Sequence, residues 1–220
     1  DVFKDVNGSV WIATFTGLNR FENNLAKFIT KSIYENGSLL SINYFLEMND
    51  GNVLIGTESG IKVFNTNDES IRDFKTFFKS KENYFESLYI YSFYLDTDSC
   101  LWVGTRDSGL YIYDIKSDKV TDVSEELDIK KLNHAVVREM VCDEFGNFWV
   151  ATNVGLCCIN LKDNSYVFYN HDKKDKKSIP HDDIFDLMLS DDLLYVTTGD
   201  GLAVYDYKSD DFTTYLLPDT

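Results

Sequence analysis

Apolar residues fall in short runs along this chain, and clusters of Asp, Asn, Gly and Ser separate them at regular distances. The runs Ile42 to Met48, Leu88 to Leu95, Val136 to Val141 and Ile184 to Leu189 each precede such a cluster. The clusters are Asn49 to Asn52, Asp96 to Ser99, Asp143 to Asn147 and Ser190 to Asp192, with a further one from Asp5 to Ser9. Apolar runs punctuated in this way predict strands joined by hairpin turns.

A second run follows each cluster, and it repeats. Trp11-Ile12-Ala13-Thr14 with Gly17-Leu18 returns as Leu54-Ile55-Gly56-Thr57 with Gly60-Ile61. It returns again from Trp102 to Leu110, from Trp149 to Leu156 and from Tyr195 to Leu202. Successive copies begin 43, 48, 47 and 46 residues apart. An apolar residue stands four positions after each glycine: Phe21, Phe64, Tyr113, Ile159 and Tyr205. A polar turn and a fourth apolar stretch, such as Ile71 to Phe74 or Phe212 to Tyr215, close each unit. Each unit therefore reads as a four-stranded meander, with a period within the ~40–50 residues of propeller blades.

The second strand separates a propeller from a sandwich. In Trp11-Ile12-Ala13-Thr14 and Trp149-Val150-Ala151-Thr152 the apolar residues do not alternate with polar ones. A half-solvated sheet alternates, whereas a sheet squeezed between neighbouring sheets does not. The expected fold class is all-β: a β-propeller of five four-stranded antiparallel blades in a single domain, 1–220. The expected blades are 1–34, 35–80, 81–126, 127–174 and 175–220. Trp11, Trp102 and Trp149 are expected to pack between blades. Each recurrent Gly is expected to take φ > 0 in a turn, and each recurrent Thr to serve as a structural hydrogen-bonding residue there.

Composition narrows the function. Asp and Glu number 37 against 21 Lys and Arg, a formal charge of −16. That charge repels nucleic acid and anionic membrane surfaces, so neither is an expected partner. No run of 18 apolar residues occurs, so no membrane insertion is expected. The chain starts at Asp1 without Met or a leader, and reads as a mature or excised piece of a longer protein. Cys100, Cys142, Cys157 and Cys158 form no C-x-x-C pair and stand near no His at zinc-site spacing. They read as small hydrophobes, with Cys157 and Cys158 pointing to opposite faces of one strand. The stretch Asp96-Thr-Asp98-Ser99 lacks the glycine and distal Glu of an EF-hand. No metal and no cofactor is predicted.

The pattern Asp-x-x-Gly-Asn-x-Trp-Val-Ala-Thr-x-x-Gly-Leu, clearest from Asp143 to Leu156, resembles the two-component regulator propeller repeat. The resemblance covers all five units. The second departs from it with Leu54 in place of Trp, the fifth with Tyr195 and a shortened turn. It implies the extracytoplasmic sensor region of a membrane-anchored histidine kinase, hybrid two-component or diguanylate cyclase receptor. It also implies either a fragment of a larger, about seven-bladed propeller or five blades that close on themselves, with the fragment favoured because the innermost strand of the first blade reads as incomplete. The ligand it implies is a carbohydrate, often an oligosaccharide. An open fragment would expose apolar blade faces at both ends and self-associate through them, as a homodimer or larger species.

Candidate ligand-binding residues follow from strand direction. The second-to-third-strand turns and the connections between blades share one face, and loops on a rigid scaffold commonly carry binding. That face presents Phe15, Glu58, Arg106, Asp107, Asn153 and Asp200 on turns, and His134 and His181 on connections. Each histidine stands nine residues before the corresponding hairpin position, Asp143 or Ser190. This spacing predicts equivalent places near the mouth of a channel. No catalytic residues are predicted. Two alternatives stand beside the sensor reading. One is a protein-interaction or self-association module. The other is a glycoside hydrolase drawing its two carboxylates from Glu58, Asp107 and Asp200.

Overall fold

The computed structural model describes residues 1–5, 8–22, 27–35, 38–48, 51–97, 99–190 and 193–216. Parts of the predicted hairpins at Val6-Asn7, Asn49-Asp50, Asp98 and Asp191-Asp192 lie outside the described residues. The chain forms five four-stranded antiparallel sheets, each a meander in chain order.

The first sheet holds β1 (Val2–Lys4), β2 (Val10–Thr14), β3 (Gly17–Glu22) and β4 (Lys27–Lys31). A small hairpin, β5 (Tyr34–Glu35) and β6 (Ser38–Leu39), follows it. The second sheet holds β7 (Ile42–Glu47), β8 (Asn52–Thr57), β9 (Gly60–Asn65) and β10 (Ile71–Asp73). The third holds β11 (Ile90–Leu95), β12 (Cys100–Thr105), β13 (Leu110–Asp114) and β14 (Lys119–Asp122). The fourth holds β15 (Val137–Cys142), β16 (Asn147–Thr152), β17 (Gly155–Asn160) and β18 (Tyr166–Tyr169). The fifth holds β19 (Ile184–Ser190), β20 (Leu193–Thr198), β21 (Gly201–Asp206) and β22 (Asp211–Leu216).

Among the described residues, two short α-helices, α1 (Phe74–Phe78) and α2 (Val123–Glu126), and a 3-10 turn, Lys130–Leu132, lie in connections read from sequence as loops or strand ends. Phe74 is buried at the start of α1, its ring 5.0 Å from Tyr113 and 5.1 Å from Phe85. Asp122 starts α2 by accepting the backbone N–H groups of Ser124 and Glu125, a side-chain N-cap.

The chain divides into two compact units, residues 1–103 with 112–121 and residues 104–111 with 122–220. In the first unit Trp11 packs with Leu18, Phe45, Val53, Ile55 and Phe64, its ring 4.8 Å from that of Phe64. In the second unit Trp149 packs with Leu187, Val196, Tyr205 and Phe212, its ring 5.0 Å from that of Tyr205. In both, the tryptophan of one sheet meets the apolar residue four after the glycine of the next. Trp11 and Trp149 therefore pack between blades, as expected, and Trp102 is buried. Burial of the second strand follows suit: β8 is buried at every position, and β12 and β16 at all but the first. β2 and β20 are only part-buried.

The recurrent residues form one turn device. The hydroxyls of Thr14, Thr57, Thr105, Thr152 and Thr198 each donate to the carbonyl of the glycine that follows. Each also accepts a backbone N–H from the turn between, from Thr16, Ser59, Ser108, Val154 and Asp200 respectively. The glycines have φ from +75° to +145°, a region costly to any residue with a Cβ.

A second device lies in the turn between third and fourth strands. Glu69, Asp118, Asn164 and Asp210 stand five residues after Phe64, Tyr113, Ile159 and Tyr205, and all four have positive φ. Where the earlier residue is tyrosine, its hydroxyl donates to the carboxylate: Tyr113 to Asp118 at 3.2 Å and Tyr205 to Asp210 at 2.6 Å. The same carboxylates reach the preceding blade, Asp118 through Ser80 and Lys81, Asp210 through Tyr169. Glu69 instead pairs with Arg20 at 2.7 Å.

Burial, and then the nearby carboxylates, push the phenols of Tyr113 and Tyr169 up to about 12. A phenol whose folded pKa lies above its unfolded value of ~10 contributes stability that is intact below pH ~10. That contribution is lost as pH rises through the folded value. With the buried thiols of Cys157 and Cys158 raised as well, stability is expected to hold up to pH ~8.5, the unfolded thiol value, and to fall from there to pH ~12. Thermal melts across that range, read beside phenolate absorbance, check this. Loss of stability below pH ~8 would contradict it.

Candidate functional site

Local structure places the predicted residues unevenly. Phe15 and Glu58 belong to the first unit. Phe15 is 81 % exposed at the tip of its turn, and Glu58 accepts the Ser41 hydroxyl at 3.2 Å. Arg106, Asp107, His134, Asn153, His181 and Asp200 belong to the second unit.

Two segments of the second unit organise these residues: 134–138, leading into β15, and 181–185, leading into β19. His134 has φ 61° and sets its Nδ1 3.2 Å from the Asp107 carbonyl. Two residues on, the Val136 N–H donates to the Asn153 side chain at 2.9 Å, and the Asn153 N–H donates back to the Val136 carbonyl. Asp107, His134 and Asn153 are thereby gathered around one segment. His181 is placed differently. Its Nδ1 accepts the Asp183 N–H at 2.9 Å, and its ring lies against the backbone of Gly199, beside Asp200. The equal spacing of the two histidines thus does not give them equal places. His134 leans on the turn of the blade before it, and His181 on the turn of its own blade.

The first strands carry a feature that sequence reasoning missed. Their pairing with the second strands skips one residue just after the start, between Ile42 and Tyr44, Val137 and Glu139, and Ile184 and Asp186. The skipped residues Asn43, Arg138 and Phe185 are β-bulges, which re-aim a side chain out of the ladder. Asn43 donates to the carbonyl of Ile90, which opens the next first strand. Arg138 donates through one terminal nitrogen to the carbonyl of Ile184 at 2.7 Å and to the Asp183 carboxylate at 2.6 Å. Its guanidinium lies 4.8 Å over the ring of Phe185, which is 48 % exposed. The sequence signal was available: each bulge follows a buried Ile or Val that opens the first strand.

Arg138 and Phe185 thus present a guanidinium stacked on an open aromatic face, an arrangement worth roughly 0.5–1 kcal/mol at an exposed site. The Asp183 carboxylate already pairs with Arg138 at 2.6 Å, and the chain carries a net charge of −16, which disfavours an anionic ligand.

Cys157 pairs across the sheet with Val150 and Cys158 with Trp149, so the two side chains take opposite faces. Burial pushes both thiols up, Cys158 to about 12, which keeps them protonated and poorly nucleophilic at neutral pH. Among the described residues, no group of three or more His, Cys, Asp and Glu is arranged to hold a metal ion. Among the same residues, no helix is long and apolar enough to cross a membrane.

Comparison with known proteins agrees with the repeat. Residues 84–107 match the family model of the two-component regulator propeller. No curated protein matches the chain. Among solved structures, it is similar to the extracellular domain of the hybrid two-component system BT3049 from B. thetaiotaomicron, with TM-score 0.76 and 20 % identity over 98 % of this chain. The extracellular domain of BT4673 from the same organism gives 0.71 and 22 % over 97 %. The chain spans 28 % and 29 % of those two chains, under a third of their length. Virginiamycin B lyase from Staphylococcus aureus gives 0.66 at 11 % identity, with all of this chain and 70 % of the lyase covered. At such identities the likeness establishes the β-propeller fold, which receptors and a lyase share.

Proposed function

We propose that this chain is an extracytoplasmic ligand-sensing propeller region of a bacterial two-component or diguanylate cyclase receptor. It is non-catalytic, and its ligand is a neutral carbohydrate. The observation that carries the reading is the contrast between a constant frame and varied display. The Thr–Gly turn recurs in all five sheets, while the residues it presents change from Phe15-Thr16 to Glu58-Ser59, Arg106-Asp107-Ser108, Asn153-Val154 and Gly199-Asp200. The regulator propeller match and the two extracellular neighbours support the receptor setting.

Two features favour binding over catalysis. The Nδ1 of His134 faces a main-chain carbonyl and that of His181 a main-chain N–H. Neither contact activates a nucleophile. A sugar ring laid on Phe185 would meet the Arg138 guanidinium and the Asp183 carboxylate paired with it, and the chain's net charge of −16 selects against uronates and sulfated glycans. Ligand would favour one arrangement of segments 134–138 and 181–185, a population shift that the receptor transmits.

Titration calorimetry of the folded chain against maltohexaose, xylohexaose, mannohexaose and a heparin hexasaccharide tests this. Binding of a neutral oligosaccharide, weakened about tenfold by Phe185→Ala with the melting temperature unchanged, is the expected result. Binding of heparin alone would overturn the neutral assignment, and binding of none of the four would remove the carbohydrate.

A further inference from the structure

At the end of the fourth and fifth sheets opposite the Thr–Gly turns, a cavity of about 230 Å³ opens between the hairpin that follows β15 and the facing ends of β19 and β20. Both sheets belong to the second unit. Phe145 and Tyr207 wall the cavity, their rings 5.3 Å apart and tilted by 50°, with Leu189 and Leu193 beside them. Phe145 is 49 % exposed. Both rings break the repeat. The position of Phe145 holds Asn7, Asp50 and Asp98 in the first three repeats. That of Tyr207 holds Asn23, Thr66, Ile115 and Leu161 in the first four. A hairpin position that is elsewhere an ordinary polar turn residue here sets an aromatic face half in water.

The charged groups of the cavity are all carboxylates. Asp143 and Glu144 line it, and none of the described residues lining it is Lys, Arg or His. Asp143 is buried. The hydrogen bonds it accepts from Phe145, Asn147 and Trp149 all come from neutral N–H groups, which leave its negative charge in place. Burial, and then that charge, push the Tyr207 phenol up, so the carboxylate is felt at the aromatic wall. Aromatic faces beside carboxylates without a countercharge attract a weakly hydrated cation, the quaternary ammonium group above all. The volume lies below the roughly 300 Å³ at which sites for drug-sized ligands begin, so the cation is small. We infer that this cavity binds a free quaternary ammonium ion, its methyl groups against Phe145 and Tyr207 and its charge toward Asp143 and Glu144. A phosphate attached to the cation would meet the same carboxylates, which selects against a phosphocholine headgroup. The site lies at the other end of β19 from Phe185 and does not depend on the carbohydrate reading above.

Titration calorimetry of the folded chain against choline tests this, beside phosphocholine and the uncharged carbon isostere 3,3-dimethylbutan-1-ol. Choline is expected to bind saturably at one site, and each of the other two about tenfold more weakly or not at all. Phe145→Leu keeps an apolar side chain and removes the aromatic face. The residue is half-exposed, so folding is retained, which an unchanged melting curve confirms. This variant is expected to weaken choline binding about tenfold. Absence of saturable choline binding would overturn the inference. So would an isostere that binds as well as choline, because the cavity would then be indifferent to charge. Choline binding untouched by Phe145→Leu would put the cation elsewhere on the acidic surface and overturn it equally. Phosphocholine binding as tightly as choline would overturn the assignment to a free cation.

Discussion

Replacing Asp143 with alanine is expected to lower stability by about 3 kcal/mol, because one carboxylate closes a hairpin and satisfies a buried indole. Its oxygens accept from the N–H groups of Phe145 and Asn147, from the Asn147 amide at 2.9 Å and from Trp149 Nε1 at 3.0 Å. Trp149 is 1 % exposed, so its N–H finds no water once the acceptor is gone. At roughly 2–4 °C per kcal/mol for a chain of this size, the melting temperature falls about 6–12 °C. Exposed Glu144, next in sequence, serves as the control and shifts stability by under about 0.5 kcal/mol. In a Trp149→Phe background the same substitution costs about 1 kcal/mol less, since the indole no longer asks for a partner. Equal costs in both backgrounds would show that the indole bond contributes nothing.

The second large effect concerns a glycine whose freedom is used twice. Gly60 has φ +103°, and a Cβ built there lies 2.6 Å from the Phe85 carbonyl oxygen, a backbone atom with no room to swing away. Gly60→Ala therefore combines backbone strain with a main-chain clash, and about 3 kcal/mol is expected. Gly146 has a similar φ of +86°, but its nearest neighbour is the flexible Lys162 side chain at 3.4 Å. Gly146→Ala is expected to cost only about 1 kcal/mol. Denaturant melts of the two variants give the comparison, and a cost for Gly146→Ala matching that for Gly60→Ala would mean that strain alone decides.

These two sites also mark how far the sequence is legible. The Thr–Gly turn can be read directly because all its partners lie within a few residues of one another and recur five times. The acceptor of the indole N–H was equally close and went unread. Asp5, Asp96 and Asp143 stand six residues before Trp11, Trp102 and Trp149, and each accepts that N–H. In the two repeats without tryptophan, the same pairs are Met48 with Leu54 and Leu189 with Tyr195. Acid and indole come and go together, a signal hidden because Asp also reads as an ordinary turn residue. The candidate site was less accessible. Arg138 meets Asp183 and Ile184 across 45 and 46 residues, and no local pattern announces such a contact. The histidines show the opposite failure, where regular spacing suggested an equivalence that their hydrogen bonds do not keep.

Among the described residues, every strand ladder closes inside one repeat, and sheets join their neighbours within a unit through side-chain packing and a few hydrogen bonds outside the ladders. During synthesis, a ribosome can therefore release one finished sheet for about every 46 residues, without waiting for a distant strand. Unravelling runs the same course backwards, shedding a terminal repeat before the interior ones lose their registers.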